Sequence, residues 1–290
     1  MKRTLHASLT GRSSMNLSPI EYIGPAPRKK KRRRNPFGGI LLLLVVVGMG
    51  VVFFRPLVPF LKAQQSQASE ETAQVAIREL REAGDPSSRL AAAALGRSLA
   101  EVSYDPAYYS ISFPGGDIPA GKGTAADVVT RSYRQMGVDL QQLVYEDMSE
   151  NFRLYPQFWK MKGPDSNIDH RRVPNLQRFL SRHGEELALS RVAVDYQFGD
   201  VVAWRLPFGE TGQAASHIGI VVPGPGAKQS EKWVVHNIGT GPEWEDELFS
   251  YEVVGHYRFV PEGGFASEEE LRDKVLTASA GGVPVGSSDL

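Results

Sequence analysis

The sequence predicts an α+β protein: helices first, then an antiparallel sheet, with a single transmembrane helix ahead of both. Three observations carry this reading. An uncharged apolar run extends from Phe37 to Phe54. Between residues 66 and 183, helix-like segments end at Gly84, Gly137 and Gly184. Between Asp195 and Gly241, three β-branched and aromatic runs are separated by Gly/Pro-rich turns, as in successive antiparallel strands.

Residues 1–27 lack periodicity and are expected to be disordered. Arg28 to Arg34 is an unbroken basic run. It reads either as a nucleic-acid or nuclear-targeting patch or as the flank of a membrane span. The segment after it decides. Phe37 to Phe54 is 18 residues without a charge, 13 of them Leu, Ile, Val or Phe. At about 1.5 Å per residue it spans ~27 Å, close to the ~30 Å hydrocarbon thickness. Insertion gains about 4–8 kcal/mol before glycine losses. Residues 1–36 hold ten Lys/Arg against one acid, so the positive-inside rule leaves this tail in the cytoplasm. Of the 33 charges of each sign, 23 basic and 32 acidic lie beyond it. A cleaved signal peptide fits less well, since its apolar core is usually ~7–15 residues. The expectation is a protein of the inner or cytoplasmic membrane, its C-terminal domain periplasmic or extracellular, with no nucleic-acid partner.

The remaining elements follow in order. Pro56 and Pro59 mark the exit from the apolar run. Residues 66–83 read as a helix ended by Gly84. Asp85-Pro86 reads as an N-cap and first-turn proline, opening a second helix to about Val102. Residues 55–102 are therefore a helical stalk or linker, or the first layer of the domain. A short strand is expected over Ser110 to Phe113, then a turn-rich stretch to Gly123. Thr124 to Met136 reads as a helix with Val128, Val129, Ser132 and Met136 on one face. A loop that opens directly into a buried helix presents free backbone N–H groups. Leu140 to Asn151 and Asn175 to His183 read as further helices. A fourth strand is expected over Gly255 to Val260, and Ser267 to Glu270 has capping-box form. The divisions are a basic tail 1–36, a span 37–54, the helical segment 55–102, a sheet-bearing domain 103–262 and a C-terminal tail 263–290.

His217 opens the second strand run and His236 closes the third. Facing side chains on adjacent antiparallel strands lie roughly 5 Å apart, so these imidazoles are expected to share one site. A histidine oriented by a second polar group is half of a nucleophilic hydrolase. The chain has no cysteine, which excludes disulfides, Cys-based zinc sites and a thiolate nucleophile. A zinc hydrolase built from His217, His236, His256 and Asp200 is the alternative chemistry. No HExxH-like spacing supports it, so neither metal nor cofactor is expected. His256 is either a third site member or a strand residue bonded to backbone. Asp169, His170, Arg171 and Arg172 form either a clamp of mutual hydrogen bonds or a cleft wall gripping a carboxylate.

Residues Tyr104 to Tyr257 resemble a bacterial family of unknown function, DUF1287, grouped with the papain-like and NlpC/P60-type cysteine peptidases. The strings that carry the resemblance occur in order. They are Phe113-Pro114-Gly115-Gly116-Asp117, Asp127-Val128-Val129, Glu146-Asp147-Met148, Asn167 to Leu176, Gly199-Asp200-Val201-Val202, His217-Ile218-Gly219-Ile220-Val221, Val235-His236-Asn237-Ile238-Gly239, Gly241-Pro242 and Gly255-His256-Tyr257. The resemblance implies a papain-like fold, in which a helix carrying the nucleophile packs on an antiparallel sheet carrying the histidine. It implies that His217 is the base and His236 the group that orients it, with Asp127, Asp169, His170, Arg171, Asp200 and His256 as candidate binding residues. The family pattern reads Gly-x-Cys-Thr-Asp-Val; this chain reads Gly123-Thr124-Ala125-Ala126-Asp127-Val128. Ala125 occupies the nucleophile position. Losing a nucleophile costs roughly 10⁶ in rate, about 8 kcal/mol of transition-state stabilisation.

Three explanations of Ala125 remain: a native loss, an engineered replacement of Cys, or chemistry moved to another group such as Thr124. Two functions follow. One is non-catalytic binding of peptidoglycan peptides or another envelope protein. The other is an active cell-wall amidase or peptidase whose native residue 125 is Cys, or which uses another nucleophile.

Overall fold

A computed structural model describes residues 57–207, 217–267 and 269–273, with the single positions 24 and 40. The chain divides into two units, Met1–Pro59 and Phe60–Leu290, and the second carries the fold. The expected transmembrane helix is corrected here. Among the described residues no helix is long and apolar enough to cross a membrane. The 27-residue helix Leu57–Ala83 (α1) has the length, but Lys62, Glu70, Glu71, Arg78, Glu79, Arg81 and Glu82 interrupt its apolar character. Of residues 37–54 only Ile40 is described, and of the basic tail 1–36 only Gly24.

In α1, Ala73, Ala76, Ile77 and Leu80 recur at helical spacing and are buried, whereas Arg78, Glu79 and Glu82 are exposed. Asp85 caps the next helix by accepting from the Ser88 N–H at 2.9 Å, and Pro86 occupies its first turn. This helix, Pro86–Arg97 (α2), buries every residue from Leu90 to Leu95. Ala91 to Ala94 put only methyl groups in the contact, which lets the helix lie close to its neighbours. The segment expected as a stalk or linker is thus, from Ala73 to Leu95, part of the domain core.

A short parallel pair follows, Ser103–Tyr104 (β1) with Lys122–Gly123 (β2). No strand forms over Ser110–Phe113, where the chain runs into turns. Three helices come next: Ala125–Gln135 (α3), Leu140–Asn151 (α4) and Val173–His183 (α5). The remaining strands are Glu185–Glu186 (β3), Val201–Arg205 (β4), His217–Pro223 (β5), Lys232–His236 (β6), Glu243–Glu245 (β7) and Glu252–Arg258 (β8). They form one antiparallel sheet in the order β3-β8-β4-β5-β6-β7. The chain meanders from β4 to β7, and β8 then returns to the free side of β4.

Both faces of this sheet are covered. Val201, Ala203, Ile218, Ile220, Val222 and Val235 join the helices in one core. Val202, Trp204, Val221 and Val234 pack on the other face beneath Tyr196 and Leu248. Burial on both sides explains why β4 and β5 are near-continuous apolar runs rather than alternating ones. The sequence predicts this as strands; it does not predict the second cover, which comes from loop residues. The end of the chain is also held in part. Ser267 N–H donates to Glu270 Oε2 at 2.7 Å and Glu270 N–H returns to Ser267 Oγ at 3.2 Å, the expected capping box. Just before it, Phe265 packs on Tyr133 of α3. Residues 274–290 lie outside the described residues.

Two of the expected binding residues are structural. Asp200 is fully buried at the start of β4. Its oxygens accept from the Gln197 N–H (2.8 Å), His256 Nε2 (2.7 Å) and Arg258 Nε and Nη2 (2.8 and 3.0 Å). His256 also stacks on Tyr196 with ring centroids 4.1 Å apart. The cluster locks the turn before β4 to β8 and leaves neither residue free for a ligand. The turn itself needs Gly199, whose φ is +86° and whose missing Cβ would lie 2.4 Å from the Ser87 carbonyl oxygen. Asp200→Ala leaves a histidine and an arginine facing a buried void. Removing one member of a buried ion pair costs about 3–5 kcal/mol, so the denaturation midpoint of this variant should fall by a corresponding amount. A loss under ~1 kcal/mol would contradict the assignment.

Candidate functional site

The site begins at the first turn of α3. Thr124 has extended backbone and caps the helix. Asp127, three residues on, is buried and turns back to accept from the Thr124 N–H at 2.6 Å and the Thr124 hydroxyl at 2.9 Å. Arg171 grips the same carboxylate, Nε at 2.8 Å and Nη2 at 3.1 Å. It also donates from Nη1 to the Ala107 carbonyl and from Nη2 to the Asp105 carbonyl. Every nitrogen of Arg171 is engaged, so Arg171 and Asp127 clamp the fold rather than bind a ligand. The Thr124 hydroxyl donates to Asp127, whose carboxylate is already paired with Arg171. Ala125 and Ala126 are the first two helical residues, and their N–H groups have no partner among the described residues.

His217 lines the same cleft as this turn, with His236 behind it. Strand alternation puts His217 and His236 on the same face as Trp204, Val221 and Val234. Nε2 of His217 lies 2.6 Å from Nδ1 of His236, and Nε2 of His236 lies 3.0 Å from Glu245 Oε2 on β7. The tautomers follow from this chain. A carboxylate accepts only, so His236 carries its proton on Nε2 and presents a lone pair at Nδ1. His217 must then donate from Nε2, which leaves the lone pair on its own Nδ1. That nitrogen has no partner among the described residues, and His217 lines the cleft. Burial, with the neighbouring His236 second, lowers the pKa of His217 to about 3, so the ring is neutral at physiological pH.

Trp204 packs beside both rings, with centroids 5.7 Å from His217 and 6.0 Å from His236. Gly219 makes room for this. A Cβ there would lie 3.1 Å from the Trp204 ring, 3.1 Å from His236 Cβ and 2.8 Å from the Val235 carbonyl oxygen. Between α3 and the histidines lies a cleft of about 320 Å³ lined by Ala125, His217 and Asn237, with Tyr104, Trp159 and Arg172 among its further walls. Asn237 is fully buried and ties the sheet to the helix. Its Nδ2 donates to the Gly123 carbonyl at 3.2 Å, and its Oδ1 accepts from the N–H groups of Gly239 and Gly241.

Of the residues singled out in the sequence, Ala125 and His217 line one cleft, and His236 stands behind His217 through its contact with that ring. Asp127 and Arg171 stand behind it as a clamp. Asp169 is buried and accepts from the Asp165 N–H, Arg172 and Asn175, holding the wall of the cleft. His170 is buried beside it with an unpartnered Nδ1, and desolvation lowers its pKa to about 4. Asp200 and His256 belong to the separate cluster on β8, so the zinc set proposed from sequence is split between two places. Sequence reasoning missed Glu245, Asn237, Trp204 and the separate role of Arg172. Asn237 directly follows His236, and that adjacency was a usable signal. Glu245 was not accessible, because its place depends on the register of β7 against β6.

The fold is that of an α+β domain, and comparison with known proteins shows its family. The chain belongs to the family described as domain of unknown function DUF1287, whose model matches residues 91–259. It is similar to the uncharacterized protein YijF of Escherichia coli strain K12, 52% identical over 156 residues, which cover 54% of this chain and 73% of that one. No solved structure matches it.

The two depressed histidines set an acid limit on stability. Both are neutral in the folded chain and take up protons near pH 6.5 when it unfolds. Their contribution is complete above that pH and is lost as pH falls toward their folded values of about 3 and 4. Each costs about 1.4 kcal/mol per pH unit in this window. Unfolding free energy measured from pH 7 to pH 4.5 should fall accordingly, and His217→Gln should lower the slope by about one proton. An unchanged slope in that variant would contradict the burial of a neutral ring.

Proposed function

We propose that the domain is a catalytically silent relative of the papain-like, NlpC/P60-type cysteine peptidases, and that it uses the cleft to hold a peptide without cutting it. The observation that carries this reading is the relay Glu245–His236–His217, whose last ring lines the same cleft as Ala125, a residue with only a methyl group. The cleft keeps both halves of amide recognition. The Nδ1 lone pair of His217 accepts an N–H, and the backbone N–H of Ala125 donates to a carbonyl or carboxylate oxygen. It lacks an atom that can attack the carbonyl carbon. Cell-wall peptides are the ligand class that the family resemblance suggests.

Binding by the protein to soluble peptidoglycan fragments, followed by calorimetry, should proceed with no new amine or carboxyl ends released. His217→Ala removes one hydrogen bond to the ligand and should weaken binding up to about tenfold. Turnover by the chain as it stands would reject the reading.

A second reading, an amidase or peptidase, is favoured by the completeness of the relay. With sulfur at position 125, the thiol proton would pass to Nδ1 of His217. The thiolate would attack the amide carbon, the amine would leave with that proton, and water would then hydrolyse the thioester. Ala125→Cys tests this directly. A cysteine at a helix start beside a histidine has a lowered pKa, so the variant should alkylate rapidly with iodoacetamide near pH 6 and slowly once His217→Ala is added. Equal rates in both backgrounds would show that the relay does not reach position 125.

A further inference from the structure

We propose that the cleft is selective for a peptide bearing a free carboxylate, and that Arg172, held over the ring of Trp159, is the residue that seats it; this deepens the binding reading and rests on it. The two neighbouring arginines are in opposite states. All three nitrogens of Arg171 donate within the protein. Arg172 donates only from Nη1, to Asp169 Oδ1 at 2.7 Å. Among the described residues no hydrogen bond engages its Nε or Nη2, and the residue lines the cleft.

The position of that guanidinium is fixed from two sides. Its central carbon lies 4.1 Å from the centre of the Trp159 ring, and Trp159 lines the same cleft. Asp169, which anchors Nη1, is itself pinned by the Asp165 N–H at 2.6 Å and by Asn175 Nδ2 at 3.2 Å. On the far side, Arg172, Trp159 and Asn175 enclose a pocket of only about 10 Å³, no more than the space of one water. The side chain is thus held at the cleft by Asp169 and Trp159.

Charge favours the same ligand. Among the described residues no Asp or Glu lines the cleft. His217 is neutral, Arg171 is balanced by Asp127 and Arg172 by Asp169, so nothing in the lining repels an anion, and the single contact to Asp169 leaves two donors of Arg172 to meet one. A planar carboxylate on the remaining donors would complete a charge-assisted fork. The stacked arginine adds an apolar surface for the stem of that residue, supplied by Trp159.

The test uses the full chain and four acetylated tetrapeptides followed by calorimetry: Ala-Ala-Glu-Ala-amide, its Gln counterpart, and Ala-Ala-Ala-Ala with a C-terminal acid or amide. The first pair reads a side-chain carboxylate and the second a terminal one. At least one acid should bind about tenfold or more tightly than its uncharged partner, the range expected of one charge-assisted hydrogen bond. That preference should weaken in 0.5 M salt, and Arg172→Gln should abolish it. Arg172→Lys keeps a cation for Asp169, and hence the fold, but loses the fork; it should retain only a few-fold preference. Equal binding of acid and amide in both pairs by the unaltered protein overturns the carboxylate assignment alone. Preference surviving undiminished in both variants also overturns it. No binding of any peptide overturns the peptide-binding reading with it.

Discussion

The buried pair of Asp127 and Arg171 holds the cleft together. One carboxylate closes the first turn of α3, and one guanidinium crosses from that turn to the backbone at Asp105 and Ala107. Three separate segments, the helix start, the 105–107 loop and the 169–171 turn, converge on these two side chains. Neither charge is tolerable alone at that depth, because an unpaired buried ion is strongly destabilising. The pair therefore acts as a register mark. In the native state it holds the helix that carries position 125 beside the turn that carries Arg172.

The second constraint lies on the sheet. A histidine between a carboxylate and another histidine has its proton positions dictated, since each donor must meet an acceptor. Glu245 sets His236, and His236 sets His217. The order of β5, β6 and β7 is what places these three groups in line, and Gly219 leaves the space for Trp204 to pack beside them. Such an arrangement is usually associated with proton transfer. Here it leaves a hydrogen-bond acceptor of fixed orientation on His217, in the wall of the cleft that Ala125 also lines.

Much of this architecture was legible in the sequence, and the failures have physical causes. The strands β4 to β6 announce themselves as β-branched runs, and the meeting of His217 with His236 follows from strand adjacency. Helix caps at Asp85 and Ser267 are local signals and hold in the structure. Arg171 and Arg172 are adjacent in sequence and identical in type, yet one is buried as a clamp and the other faces the cleft; only tertiary packing separates them. Asp200 and His256 look like site residues because buried acids and histidines serve catalysis and structure alike. The apolar run 37–54 gave the expectation of a spanning helix; the one long described helix, α1, is amphipathic and packs by its apolar stripe.

The placement of α2 has a consequence for where the domain starts. The family match begins at residue 91, in the middle of a helix that runs from Pro86 to Arg97. A fragment cut at that boundary would lose the Asp85 cap, the first turn and Leu90, and would strip the Ser87 carbonyl from the Gly199 turn. The stretch matched by the family is therefore shorter than the packed core, which reaches back to Ala73 on the apolar stripe of α1.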